Sequence, residues 1–360
     1  MGLPFANPLP PPVQVSTASW RSKLTPSNIA FGVAAGVMCL MLLTVHHVEL
    51  RTSHTSHTSH ASHTPSKSAV YTSLCSEHNP NLVGCSPAPS PHSKEAYVSF
   101  VSMIADPHYV DAMRLQLFAV RHDPLTRDPT PRDFVVLTTK HTPEWVKAEL
   151  ASGGAVIWYT DIIEGMPGED TVGGRLNYRD MYTKLAIWNL TDYDRVLYLD
   201  ADILISKPMY EIWDDPNSDP PSGLAGLSDP MGQNHEIPIP DNGYINAGLL
   251  LLRPSNLTFK RLVETRDFDY GLFEQNLINT YFSRDGPHPW ASLDPKYIAG
   301  WPTNRDLQAG IHAFHEKFWQ DTRSDLDREL TELWNQQMGR MEGYYERMEY
   351  AGKAKRLVIM

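Results

Sequence analysis

From Tyr97 onward, short apolar runs alternate with stretches whose apolar residues recur at helical spacing, a pattern that few folds accommodate. Ala96 to Val101, Phe134 to Thr138, Ala155 to Tyr159 and Arg195 to Leu199 read as strands, as do Gly223 to Leu227 and Ile245 to Leu252. Between them, Val110, Met113, Leu117 and Val120 predict one helix and Glu144 to Leu150 a second. Tyr178, Met181, Leu185 and Trp188 form one face of a third, with Asn177 as its N-cap. Alternation of this kind predicts an α/β fold, a mostly parallel sheet with helices on both faces. Ligands bind such sheets beyond the C-terminal ends of the strands, where the loops converge. After Trp319 the chain becomes charged and helix-prone, with Leu330, Leu333 and Trp334 predicting a helix packed on the domain or on a membrane surface.

The first 95 residues follow a different logic. Residues 29–45 are unbroken apolar sequence, followed by His46, His47 and Val48. A stretch of this kind, near the lower end of the ~17–25 residues that cross a bilayer, predicts a transmembrane anchor over 29–48. A cleaved signal peptide is the competing reading; the run starts late for one, and no small-residue cleavage pattern follows. Arg21 and Lys23 before the span, against Arg51 after it, favour a cytosolic tail over 1–28 and a lumenal C-terminus. Residues 49–95 open on a Thr-Ser-His repeat (His54, His57, His60, His63) and stay rich in Ser, Thr and Pro, so they predict an unfolded stem. The folded domain is then expected over 96–325 and a helical tail over 326–360.

Cys39, Cys75 and Cys85 all precede the domain, which therefore depends on no disulfide. Cys75 and Cys85 could pair in an oxidising lumen or remain two thiols in a flexible segment. The formal net charge is −11, with the acids concentrated after the stem, and this excludes nucleic acid as an expected partner. A phosphate-bearing ligand would need local help from Lys, Arg or a metal.

The sharpest local signal is Arg195-Val-Leu-Tyr-Leu-Asp200-Ala-Asp202, an apolar strand running directly into two carboxylates spaced i, i+2. Leaving a strand, such residues can turn toward one point in the cleft, and hard oxygen ligands suit Mn2+ or Mg2+ bridging a diphosphate. The bland alternative is a surface turn with two solvated acids.

Further segments give the carboxylates a context. YTKLAIWNL at 182–190 precedes YDRVLYLDAD at 193–202; YINAGLLLLRPS follows at 244–255, FEQNLINTYF at 273–282 and HAFHEKFW at 312–319. Together, in this order, they resemble glycosyltransferase family 8, the family of glycogenin and the galactinol synthases, over about residues 97–319. The resemblance implies the GT-A nucleotide-diphospho-sugar transferase fold, a Rossmann-like mixed sheet. It implies retaining transfer of a hexose, glucose or galactose, from a UDP-sugar to a carbohydrate, glycoprotein or small-polyol acceptor. With the anchor and stem, it implies a single-pass type II enzyme of the Golgi or another secretory membrane, its catalytic domain lumenal.

Carried over position by position, the resemblance makes Asp200, Asp202 and His312 the ligands of Mn2+ or Mg2+. Lys317 would contact the donor diphosphate. Lys184 and Arg175 would touch donor sugar or phosphate, and Tyr109 would stack on uracil. Ala201, Asn246, Ala247 and Gly248 would complete the donor site. Glu274 and Gln275 would sit at the reacting face of the sugar, with Glu274 as a nucleophile or, alternatively, Gln275 stabilising charge while the acceptor attacks on the leaving group's own face. Two departures stand out: Glu274 replaces the family's Asp, and the last motif is one residue shorter, with His315 and Phe318 where Gly and Pro are common. These departures support the rival reading of a non-catalytic sugar-nucleotide or glycan-binding protein. A nucleotidyltransferase would need a triphosphate loop that Ser99 to Pro107 does not offer. Two sequons, Asn189-Leu-Thr191 and Asn256-Leu-Thr258, are available for lumenal glycosylation.

Overall fold

The computed structural model describes residues 95–102, 107–169, 180–320 and 327–359. The expected tail, membrane span and stem, the three cysteines, Arg175 and the N-cap Asn177 lie outside the described residues. Among those described, no helix is long and apolar enough to cross a membrane.

Seven strands form the main sheet, in the order β3-β2-β1-β4-β7-β6-β8. They are β1 (Glu95–Val101), β2 (Asp133–Thr138), β3 (Val156–Tyr159), β4 (Arg195–Leu199), β6 (Leu224–Ser228), β7 (Ile245–Leu252) and β8 (Ala291–Ser292). β1 to β4 pair in parallel, β7 runs antiparallel to both β4 and β6, and β8 is parallel to β6. The sheet is thus mixed α/β, as expected. A second, three-stranded sheet escapes the sequence reading: β5 (Ile203–Ile205), β9 (Ile298–Gly300) and β10 (Ala313–His315), with β10 in the middle.

The central strands are mostly apolar because both faces are covered. On one face, Tyr97, Phe134, Val136, Leu197, Leu199 and Leu251 pack against α1 (His108–Arg121) and α2 (Glu144–Ser152). On the other, Val98, Val135, Val196, Leu250 and Leu252 meet the segment 180–189, α3 (Asn256–Glu264) and α4 (Phe273–Tyr281). The segment Asp180–Asn189 is a 3-10 helix rather than the amphipathic α-helix expected. Tyr182 through Trp188 are all buried, so the element has no solvent face and its register answers to packing.

The tail forms α6 (Arg328–Ile359), preceded by the short α5 (Asn304–Ala309). Leu330, Trp334 and Met341 of α6 join Ala112, Leu115 and Phe118 of α1 in a third apolar cluster. Arg340 clamps the buried carboxylate of Asp123 at 2.9 Å. The described part of this helix packs on the domain.

Candidate active site

The site grows out of how β4 ends. Asp200 extends the ladder one step past Leu199, its N–H donating to the Gly248 carbonyl at 2.8 Å. Gln116 of α1 donates to the carbonyls of Asp200 and Ile203 and fixes the turn between them. Asp202 then stands directly before β5, whose antiparallel partner β10 sets His315 opposite Ile203. That register brings His315 beside Asp202, and the Glu316 N–H closes onto the Asp202 carbonyl at 3.0 Å.

The two carboxylates converge. His315 Nε2 lies 3.1 Å from Asp202 Oδ1 and 3.6 Å from Asp200 Oδ2. One ligating atom from each of Asp200, Asp202 and His315 falls within 4.8 Å of the others. Two carboxylates and an imidazole suit a divalent cation such as Mn2+ or Mg2+. Gly248 makes the approach possible: a Cβ there would lie 2.3 Å from His315 Cε1. Burial disfavours a charged His315, but Asp202 outweighs it and raises its pKa.

His312 is not part of this cluster. Its Nδ1 meets the Pro208 carbonyl at 2.9 Å, its ring stands edge-on to Tyr297 at 5.7 Å, and its carbonyl accepts from Ser206 and Lys207. Burial lowers its pKa. The expected third ligand is therefore corrected: β10 presents its last residue, His315, to the carboxylates, and His312 ties down the chain at 206–208.

Lysines flank both acids. Lys184, expected as a donor contact, is buried beneath the site, 3.0 Å from Asp200 Oδ1, 2.8 Å from Glu274 Oε1 and 3.5 Å from the Ala247 carbonyl. Burial opposes its charge; Asp200 and Glu274 outweigh that and hold it above the usual lysine range. Lys317 Nζ is 2.9 Å from Asp202 Oδ2. Burial works against the Asp202 carboxylate as well, yet Lys317 and His315 keep its pKa well below the usual range. Tyr109 shares a hydrogen bond with Lys317 and packs edge-on against Trp319, with centroids 5.1 Å apart.

Glu274 and Gln275 enter at the first turn of α4. Glu274 is buried; burial raises its pKa against the pull of Lys184, and its Oε2 has no hydrogen-bond partner among the described residues. Gln275 Oε1 accepts from the Ala247 N–H at 3.0 Å, and its Nε2 donates to Asp229 Oδ2 at 3.2 Å. Asn246 donates to the same Asp229 oxygen at 2.9 Å, and its Oδ1 accepts from Gly248 N–H. Ala201, between the two acids, packs partly buried on the sheet's core.

Two groups were missed by sequence reasoning. Asp229, buried just past β6, is the polar centre joining Asn246 and Gln275. Its signal was the same as that of Asp200, an acid one step beyond an apolar strand. A second cluster gathers at the ends of β1 and β2, where buried Asp180 accepts from Ser102 and meets His141 Nδ1 at 3.0 Å. Only the positions of Ser102 and Thr139 just past strand ends hinted at it.

The geometry has a counterpart among known proteins: residues 168–300 match Glycosyl transferase family 8. Residues 168–300 are a glycosyltransferase family 8 domain. The chain is similar to an uncharacterised protein of Schizosaccharomyces pombe, 27% identical over 306 residues, which span 70% of this chain and 81% of that one. It is also similar to galactinol synthase 5 of Arabidopsis thaliana, 28% identical over 171 residues, covering 41% of this chain and 51% of the relative. The solved structure of galactosyltransferase LgtC with donor and acceptor sugar analogues aligns at a TM-score of 0.45 and 18% identity, over 68% of this chain and 95% of that one. The chain is a glycosyltransferase enzyme with a mixed α/β fold.

Proposed function

We propose that this family 8 enzyme transfers a hexose, glucose or galactose, from a UDP-sugar to a carbohydrate, glycoprotein or small-polyol acceptor, retaining anomeric configuration and requiring Mn2+ or Mg2+. The observation that carries this reading is the meeting of Asp200, Asp202 and His315 within 4.8 Å at the end of a central strand. A cation held by these three residues would offset diphosphate charge as the glycosyl bond breaks. Lys317 would pair with phosphate oxygens as a mobile point charge. Tyr109 would stack on the base, Arg175 would reach the donor, and Asn246, Ala247 and Gly248 would line the sugar.

The pinning of Glu274 by Lys184 favours attack on the leaving group's own face. A nucleophilic carboxylate must reach the anomeric carbon, whereas Glu274 Oε1 is held at 2.8 Å by a buried ammonium. In the favoured course the acceptor hydroxyl gives its proton to the departing diphosphate oxygen. Gln275, fixed by Asp229 and Ala247, would face the positive charge that develops on the sugar ring.

We further read the enzyme as a type II protein of the Golgi or another secretory membrane, anchored through 29–48. The apolar run and the Ser/Thr-rich stem support this. Asn256 is exposed and Asn189 half-buried, so Asn256 is the accessible sequon.

The test is UDP release from a panel of nucleotide sugars by the full-length protein, with Mn2+ and with chelator. UDP-glucose or UDP-galactose should be turned over only with the metal. Equal turnover with chelator would remove the metal from the reading, and turnover of other donors alone would remove the hexose assignment.

A further inference from the structure

We infer that Lys317 is a built-in counter-ion that competes with the divalent cation for Asp202 and yields that carboxylate when a nucleoside diphosphate arrives. The inference rests on the metal-binding reading above and extends it to the order in which the site fills.

The two lysines of the site are not equivalent. Lys184 has three acceptors for its three protons, Asp200 Oδ1, Glu274 Oε1 and the Ala247 carbonyl, and only 7% of its side chain is exposed. It is saturated in place and leaves Asp200 Oδ2 turned toward His315 at 3.6 Å. Asp202 is different, since both its oxygens are occupied from one short segment: Oδ1 by His315 at 3.1 Å and Oδ2 by Lys317 at 2.9 Å. His315 belongs to the donor set proposed above, so its Nε2 would turn from Asp202 Oδ1 to the cation without leaving the site. The Lys317 ammonium is a positive charge on an oxygen that a cation would also use, and like charges cannot share that position cheaply.

Lys317 can leave. It lies beyond the end of β10, its side chain is 20% exposed, and its flexible four-carbon stem suits a point charge that swings to phosphate oxygens. A diphosphate would therefore draw the ammonium away while supplying oxygens of its own, and Asp202 would open to the cation. Metal and nucleotide then bind with positive coupling, and the coupling is reciprocal. The metal alone meets an already neutralised carboxylate.

The experiment measures Mn2+ affinity by the electron paramagnetic resonance of free Mn2+, with and without saturating UDP, on the full-length protein and its Lys317→Met and Lys317→Arg variants. Wild type should bind Mn2+ weakly alone and more tightly with UDP. Lys317→Met should bind Mn2+ alone about tenfold more tightly than wild type and gain less from UDP. Lys317→Arg, which keeps the charge, should stay within a fewfold of wild type, and thermal melts confirm that each variant is folded. If folded Lys317→Met binds Mn2+ alone no more tightly than wild type, the counter-ion inference is overturned. If neither protein binds Mn2+ even with UDP, the metal site itself is rejected, a separate and recognisable failure.

Discussion

Lys184 and Lys317 each neutralise one carboxylate of the same site, yet they are built in opposite ways. Lys184 rises from a fully packed 3-10 helix, between the end of β4 and the first turn of α4, and closes a buried ionic well with Asp200 and Glu274. Lys317 sits just past the end of the middle strand of a three-stranded sheet, on a segment whose neighbours Phe318 and Trp319 pack on Trp334 of the tail helix. The inner well is a fixed part of the scaffold and the outer arm is adjustable. The difference suggests that one side of the site preorganises charge while the other exchanges partners as ligands come and go.

The largest expected effect tests that division through stability. Lys184→Met leaves Glu274 buried and unpaired, and should destabilise the protein by about 3–5 kcal/mol in denaturant melts. Lys317→Met, with its more exposed side chain, should cost less than about 1 kcal/mol. Equal losses would erase the distinction between scaffold and arm. Next in size, Asp202→Asn should lower metal-dependent UDP release by about 100-fold or more while the melting temperature changes little. An active Asp202→Asn enzyme would break the claim that the arm closes on a catalytic carboxylate.

Gly248→Ala probes the seam where the two regions touch. The added Cβ would collide with the His315 ring, so the ring must shift. Mn2+ affinity with UDP bound should fall about tenfold, in the range seen when the support of a metal ligand is disturbed. The smallest effect is expected in the tail: a Cβ at Gly339 of α6 meets nothing within 4 Å. Gly339→Ala should raise stability by about 0.5–1 kcal/mol and leave turnover unchanged, as a helix-interior glycine replaced without strain does.

The same contrast governs what could be read from the sequence. Asp200 was legible because β4 is apolar from Val196 to Leu199 and pairs on both sides, which fixes its end to the residue. Lys184 was found through the YTKLAIWNL resemblance, but its burial was not, since a helical pattern implied a solvent face that the 3-10 geometry removes. The error over His312 belongs to the outer sheet. Strands of three residues leave almost no periodic signal, and a motif altered in length can be aligned on either of two histidines. Only the pairing of His315 with Ile203 chooses between them, and that is a tertiary fact. Asp229 lay in plain view after β6 and was passed over because no paired acid followed it.

The most direct test of the account compares the two histidines. Mn2+ binding in the presence of UDP, measured on His315→Ala and His312→Ala, should show affinity largely lost in the first and kept within a fewfold of wild type in the second. Retained affinity in folded His315→Ala together with loss in folded His312→Ala would contradict the site described here.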